Sequence, residues 1–442
     1  MHLNRDLIVE YIDIQRLRPY PRNARTHSKK QIRQIANSID TFGFTNPILI
    51  DEELTVLCGH GRLAGARLLG MQTVPCVKLS SMTADQKRAY VLADNKLALN
   101  GGWDEEILAI ELEALSVPDL DFSVEVTGFS VPEIDTLLDG MRPQDPGDPA
   151  DERLPAMAEV AVSRPGDLWV LGEHKLLCGD CRDPASFRAL LGSERTEMVF
   201  TDPPYNVPID GHVSGLGKQQ HREFAMASGE MSPEEFTKFL NEIFRHLATF
   251  STDGSIHYVC MDWRHIGEVL GASKIAYAEL KNLCVWAKDN GGMGSFYRSR
   301  HELIFVFKSG TAPHINNFEL GQHGRHRTNV WNYRGMNSRG TERLEGLALH
   351  PTVKPVALIA DAIKDVSRRQ GIVLDCFAGS GSTLIAAHKT ARRARLIEID
   401  PLYVDRIIRR WEAYAKDDAI LEATQQSFSE VSRERLNQRT LP

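Results

Sequence analysis

Cysteine is scarce in this sequence. Seven cysteines in 442 residues, an odd number without framework spacing, exclude a disulfide-stapled secreted fold and agree with a reducing compartment. No run of 18 apolar residues occurs, so no membrane-spanning helix is expected. The opening stretch MHLNRDLIVEYIDIQRLRPY lacks the uninterrupted apolar core of a signal peptide, and a cytoplasmic location is expected. Excess positive charge is also missing: the formal net charge is −7, which argues against a surface coated for nucleic acid. No paired-acid metal constellation stands out. Cys178 and Cys181 have the spacing of half a zinc site, but no second cysteine pair accompanies them, so no metal is expected.

What is present is an ordinary globular composition, 42% hydrophobic and 25% charged, long enough for two or three domains. Charge is uneven. Residues 1–33 carry eight Arg/Lys against three acids, and residues 288–343 carry nine against four with four histidines interleaved. Such local positive faces can serve phosphates on an acidic protein. The stretch MRPQDPGDPADERLP combines four prolines and a glycine with acids and almost nothing apolar, and it reads as a linker. The expected domains are therefore an accessory domain at 1–140, a linker at 141–158, a larger domain at 159–416 and a polar tail at 417–442 without assigned structure.

The accessory domain reads as mixed α/β. Ile32, Ile35 and Ile39 have helical spacing, with Gly43 as a stop. NPILIDEELTVLCGHGR reads as a hairpin turning near Asp51–Glu53, GRLAGARLLGM as a short helix opened by Gly59 and Gly61, and 104–116 as a further helix. In the larger domain, apolar runs at 197–200, 255–260, 282–288, 302–307, 371–377 and 394–399 suit buried strands. Helical periodicity lies between several of them, and Ser232 with Glu235 forms a capping box. This alternation predicts an α/β fold with a largely parallel sheet covered on both faces, its function beyond the carboxyl ends of the strands.

Two motifs carry chemistry. VLDCFAGSGSTLIAA, 373–387, is a strand, a glycine-rich turn and a helix start, where Gly379 and Gly381 let the backbone approach a ligand and the helix presents free N–H groups. Glu398 and Asp400 end the next strand about 20 residues on, placed to accept from ribose hydroxyls. No Lys-Ser/Thr follows the glycines, which disfavours a P-loop, and Leu384 replaces the third glycine of a dinucleotide site. A nucleoside without pyrophosphate, such as S-adenosylmethionine, fits best. The second motif is VFTDPPYNVP, 199–208, where an apolar strand ends on an acid, two stiff prolines and an aromatic.

Asp202-Pro203-Pro204-Tyr205 resembles the catalytic motif of the DNA amino-methyltransferases, which act on exocyclic amines of adenine or cytosine. HPTVKP, 350–355, and CGDC, 178–181, resemble two further segments of that family. The motif order, catalytic motif before glycine turn, resembles the beta-type members. The resemblance covers roughly 160–416 and implies a Rossmann-like S-adenosylmethionine-dependent sheet, a double-stranded DNA partner and base flipping. It further implies that Asp202 and the Pro203 carbonyl accept the two N–H bonds of the target amine and that Tyr205 stacks on the base. Cofactor contacts are implied for Asp180, Thr352 and Lys354, and on or near the glycine turn for Asp375, Phe377, Gly379, Gly381, Ser382, Glu398 and Asp400. Target recognition is implied for 309–345, where Arg325, Arg327, Arg334 and Arg339 suit phosphates and guanine edges, joined by Arg298 and Arg300 as DNA contacts. The segment after Tyr205 is expected to close over the flipped base. Aspartate at the first motif position usually accompanies adenine. N4 of cytosine, or an amine of RNA or protein glutamine, stays open.

Residues 10–100 resemble the ParB-like N-terminal domain, whose Gly-Glu-Arg-Arg segment corresponds here to Gly59, His60, Gly61 and Arg62. The two replacements argue against nucleotide hydrolysis, while Gly59, Gly61 and Arg62 could still grip a phosphate or bound nucleotide, near Asn23, Arg25 and His27. Auxiliary DNA binding is the expected role, with a homodimer as a further possibility. Bacterial or phage origin, and a place in restriction-modification, are implied by the resemblance. The rival reading is a ParB-like partition or regulatory DNA-binding protein with a vestigial methyltransferase fold.

Overall fold

A computed structural model of the chain describes residues 7–80, 82–116, 120–141, 151, 153–207, 229–289, 296–318, 326–334 and 353–440. Its contacts divide it into two units, Met1–Met141 and Arg142–Pro442.

The first unit runs β1 (Val9–Asp13), β2 (Arg18–Pro19), α1 (Lys29–Phe42), β3 (Ile48–Ile50), β4 (Thr55–Cys58), α2 (His60–Leu68), β5 (Thr73–Lys78), α3 (Ala84–Ala98), α4 (Glu105–Ala114) and α5 (Val131–Met141). Its sheet has the order β1-β5-β3-β4-β2. Helix α1 starts where the Ser28 hydroxyl accepts the Gln31 N–H and ends at Gly43, whose φ of 76° suits only glycine. The β3–β4 hairpin is antiparallel. Asp51 builds its turn, accepting N–H bonds from Glu53 at 3.0 Å and Thr55 at 2.8 Å. Helix α3 was not read from the sequence, although its capping box, Thr83 with Gln86, was there to be read.

The second unit continues with β6 (Leu168–Leu171), β7 (His174–Cys178), α6 (Pro184–Leu191), β8 (Thr196–Thr201), α7 (Pro233–Thr249), β9 (Ser251–Met261), α8 (Ile266–Ala276), β10 (Glu279–Ala287), β11 (His301–Lys308) and β12 (Val330–Asn332). It ends with α9 (Val356–Val366), β13 (Ile372–Asp375), α10 (Ser382–Lys389), β14 (Arg393–Glu398), α11 (Pro401–Ala415), β15 (Ile420–Leu421), β16 (Gln426–Ser427) and α12 (Phe428–Thr440). The sheet order is β12-β10-β11-β9-β8-β13-β14-β7-β6-β15-β16. Strands β9, β8, β13, β14 and β7 are mutually parallel, as expected. The flanks are not: β11 runs antiparallel to β9 and to β10, and β6 runs antiparallel to β7. On one face pack Val356, Ile359, Ile363, Leu384, Ile407 and Trp411 from α9, α10 and α11. On the other pack Leu190, Phe236, Leu240, Phe244 and Val269 from α6, α7 and α8. Each such side chain contributes roughly 1.5–3 kcal/mol on burial, which fixes the helices on both faces and leaves the strand ends open.

Two sequence expectations need correction. The supposed polar tail is structured: β15 adds to the β6 edge and α12 follows, because Phe428 and Val431 are buried and Phe428 meets Trp169 edge to face at 5.4 Å. Arg435 then ties α12 to Asp167 and to the Val162 carbonyl. The second half of the supposed linker is docked. Asp151 pairs with Lys389 at 2.8 Å and the Pro155 carbonyl accepts from Arg406, and just past the linker the Val162 and Ser163 amides donate to Asp405. Its composition hid this because the contacts use backbone groups and one acid rather than apolar side chains. Among the described residues, no helix is long and apolar enough to cross a membrane.

Candidate active site

The parallel strands β7, β8, β13 and β14 all end at one edge of the sheet, and a pocket opens there. It is lined by Gly179 and Cys181 beyond β7, by Phe200 and Asp202–Tyr205 at β8, by Asp375–Ser380 beyond β13 and by Glu398–Asp400 beyond β14, with Lys354 and Tyr403 completing the wall. The two motifs singled out in the sequence therefore share one cavity.

Asp202 follows β8 directly. Its Oδ1 accepts the Tyr205 hydroxyl at 2.6 Å, and its Oδ2 accepts Lys354 Nζ at 2.5 Å. Lys354 Nζ is also 2.9 Å from Glu302 Oε2, whose other oxygen meets Lys288 Nζ. The Tyr205 hydroxyl lies 3.1 Å from Glu302. Two carboxylates thus face two ammonium groups, with Lys354 buried at the centre and Asp202 partly open to the pocket. Burial pushes the Asp202 carboxyl up, opposed by Lys354. Burial acts on Glu302 in the same sense, yet Lys354 and Lys288 together hold it down at about 2. For Lys354 burial is outweighed by Asp202 and Glu302, which raise its pKa and keep it charged.

Glu302 and Lys288 were missed in the sequence. The one available signal was an acid at the head of the apolar run HELIFVF, a position where an unpaired charge would be costly. Lys354 is present at the pocket, where the cofactor contact was expected, but its ammonium is engaged by Asp202, Glu302 and Tyr205.

The glycine turn links β13 to α10. Gly379 and Gly381 take φ of 52° and 80°, and a Cβ at Gly381 would sit 3.1 Å from Ile407 Cγ2. Asp375 locks the turn to β8: its Oδ1 accepts the Thr201 hydroxyl at 3.0 Å and the Phe377 N–H at 3.1 Å, and its Oδ2 accepts the Thr383 hydroxyl at 2.7 Å. Burial raises Asp375 to about 6. Glu398 spans the turn and the next strand end, accepting N–H bonds from Gly379 at 2.8 Å and Asp400 at 3.0 Å. Burial, against those two donors, pushes Glu398 up to about 7. Asp400 caps α11 by accepting the Leu402 N–H at 2.9 Å. Ser382, the first residue of α10, also lines the pocket.

Other expected residues divide sharply. Asp180 lies beside the pocket, but its carboxylate forks with Arg182, at distances down to 2.6 Å. Arg298, Arg300 and Arg334 are exposed. Arg327 is not a surface group: its Nε donates to Asp365 at 3.0 Å, its NH1 to the Tyr333 hydroxyl at 3.1 Å, and its guanidinium lies 4.8 Å from the Trp331 ring centre. The buried Asp365 draws it inward, so its guanidinium is engaged within the protein rather than presented as a free cation. Thr352, Arg325 and Arg339, and most of the segment after Tyr205, lie outside the described residues.

In the first unit, Gly59 takes φ of 99° ahead of α2, and Arg62 NH1 donates to the Asn46 carbonyl at 2.8 Å. Gly61 is closely packed, since a Cβ there would lie 2.9 Å from Ile35 Cδ1 and 3.0 Å from His27 Cε1. His60 Nε2 accepts the Tyr20 N–H at 3.1 Å, so the ring is neutral, and burial followed by His27 lowers its pKa. Asn23 closes a local turn on the Arg25 backbone.

Residues 196–409 match a family described as DNA methylase, acting at N6 or N4. Residues 2–96 match the ParB N-terminal domain, and residues 106–165 match the ParB-methyltransferase HTH domain, which runs from the end of the expected accessory domain through the expected linker into the start of the larger domain. The chain is 45% identical over 86 residues to the ParB-like nuclease domain-containing protein YnaK of Escherichia coli, covering 20% of this chain and 99% of that one. It is 25% identical to the type II methyltransferase M2.MboI of Moraxella bovis, covering 47% of this chain and 76% of that one. It is 26% identical to the type II methyltransferase M2.DpnII of Streptococcus pneumoniae, covering 52% and 88%.

Proposed function

We propose, for a chain that belongs to the N6/N4 DNA methylase family and carries a ParB N-terminal domain, that it transfers the methyl group of S-adenosylmethionine to the exocyclic N6 amine of adenine in duplex DNA. The observation that carries this reading is the shared pocket, in which the Asp202–Tyr205 segment faces the glycine turn.

The lining residues suit a nucleoside that carries a positive charge and no phosphate. Four acids, Asp202, Asp375, Glu398 and Asp400, line the pocket, and its one lysine, Lys354, is spent on carboxylates. The glycine-turn backbone, Glu398 and Asp400 would hold the ribose side, with Phe377 and Tyr403 against the base. When bound, S-adenosylmethionine supplies an electrophilic sulfonium methyl.

The protein's own work is on the amine. Its lone pair is delocalised into the ring, so nucleophilicity requires a pull toward tetrahedral geometry. Asp202 retains acceptor capacity beyond its bonds to Tyr205 and Lys354, because a carboxylate offers about four lone-pair sites. It accepts one amine N–H and the Pro203 carbonyl accepts the other, exposing the lone pair. Lys354 keeps Asp202 anionic before transfer, and burial favours its taking the proton released from the methylated nitrogen. Tyr205, anchored through its hydroxyl, offers its ring to a base that has left the duplex. Aspartate rather than serine at position 202 supports adenine over cytosine. The first unit is assigned auxiliary DNA binding.

Labelled methyl transfer to unmethylated duplex DNA, followed by digestion to nucleosides, tests the reading. Label in 6-methyladenine that vanishes in Asp202→Ala is expected. Label in 4-methylcytosine would overturn the base, and no label in DNA despite cofactor binding would overturn the substrate.

A further inference from the structure

Phe296 and Tyr297 are the most exposed large apolar side chains among the described residues, at 87% and 82%. Their rings touch only edge to face, 4.7 Å apart at 80°. They bury almost nothing, so they contribute little to folding, and a consecutive pair of fully presented aromatics is costly to leave in water.

The root of this pair is fixed. Three residues on, Arg300 Nε donates to the Lys288 carbonyl at 3.0 Å, and the Lys288 N–H donates back to the Arg300 carbonyl at 2.7 Å. Lys288 and Glu302, on either side of that clamp, belong to the charged cluster around Asp202. The aromatic pair therefore stands within three residues of a clamp that is tied to this cluster. Exposed Arg298 and Arg300 follow it directly, so the rings are presented beside cations. At the end of β9, adjacent to β11 in the sheet, half-exposed Trp263 lies 5.1 Å from the Arg264 guanidinium, a second aromatic and cation on the same edge.

Flat rings flanked by guanidinium groups match one partner chemistry, stacked bases between phosphates. Extracting a base leaves a gap of one stacking step in the duplex, which an apolar wedge can fill. We propose that Phe296 and Tyr297 form an aromatic tooth that stacks against the DNA bases next to the flipped nucleotide, while Arg298 meets the flanking phosphate. This rests on the reading of the pocket as a DNA methylation site. It adds two residues that the catalytic motifs do not contain.

The test uses the full chain with Phe296 and Tyr297 changed, singly and together, to Ala, Leu or Trp. Transfer to subsaturating unmethylated genomic duplex DNA should fall about 5- to 100-fold in the double Ala variant, with cofactor affinity by calorimetry unchanged. Trp should restore transfer and Leu should not, because stacking rather than apolarity is required. Wild-type rates in the Ala variants, or equal rescue by Leu, would overturn the proposal. If the wild type itself labels no DNA, the methylation reading fails instead. The tooth is then judged by anisotropy on a fluorescein-labelled mixed-sequence duplex, where the same fold loss supports it and unchanged affinity overturns it.

Discussion

Lys354 Nζ stands 2.5 Å from Asp202 Oδ2, though 152 residues separate them in the chain. The lysine is nearly completely buried, and its second acid, Glu302, lies 2.9 Å away. The pair sets the charge state of the group assigned to hold the target amine.

Replacing Lys354 by Met should therefore move the pH profile as well as the rate. Burial already raises the Asp202 pKa and Lys354 is the largest influence opposing it, so its loss lets that pKa rise further. The acid limb of kcat/KM should shift to higher pH, and the plateau rate should fall at least ~100-fold. Methyl transfer measured from pH 5 to 9 checks both, and a reduced rate with an unmoved limb would remove the electrostatic role.

Glu398, raised to about 7, makes two pH effects. Its folded pKa lies above the unfolded value, so the stability it contributes is fully present below about pH 4 and is lost as pH rises through 7. Cofactor binding runs the other way if the ionised carboxylate accepts ribose hydroxyls: affinity should rise roughly tenfold between pH 6 and 8 as the ionised fraction grows. Calorimetry on wild type and Glu398→Gln separates the two, since the variant should bind weakly and without that slope.

Gly381→Ala forces a Cβ into a φ of 80° and to 3.1 Å from Ile407. The left-handed conformation alone costs about 1–2 kcal/mol for a non-glycine residue. A shifted turn should weaken cofactor affinity about tenfold or more with a smaller loss in unfolding midpoint, read by calorimetry and denaturant titration.

Arg327→Ala should behave as a stability variant. It leaves Asp365 buried without its guanidinium, 3.0 Å away in the wild type, at a cost of about 3 kcal/mol. The salt dependence of DNA binding should stay unchanged, whereas Arg334→Ala, which removes an exposed cation, should reduce it. A flattened salt slope in Arg327→Ala would reinstate it as a phosphate contact.

Much of the site was legible in sequence because it is local. The β13-turn-α10 unit is announced by an apolar strand, two glycines in left-handed backbone and a helical run, all within 20 residues. The Asp202–Tyr205 segment is announced by prolines that end β8. The tail and the docked part of the linker escaped because a few apolar residues, among them Leu421, Phe428 and Val431, and a few polar contacts suffice once the β6 edge and α11 exist to receive them.

By itself, the sequence determined the alternation of strands and helices, the glycine turn, the catalytic-type tetrapeptide and the two-part organisation, since these follow from periodicity and backbone stereochemistry over short spans. Only the tertiary structure decided which side chains meet. Because β9 lies beside β8 and β11 returns antiparallel to β9, the first residues of β11 arrive at the edge where β8 ends, and Glu302 comes to Asp202. The same sheet order brings Asp375 to Thr201, while the burial of Asp365 turns Arg327 inward. Strand order and desolvation are properties of the whole chain, and no window of residues contains them.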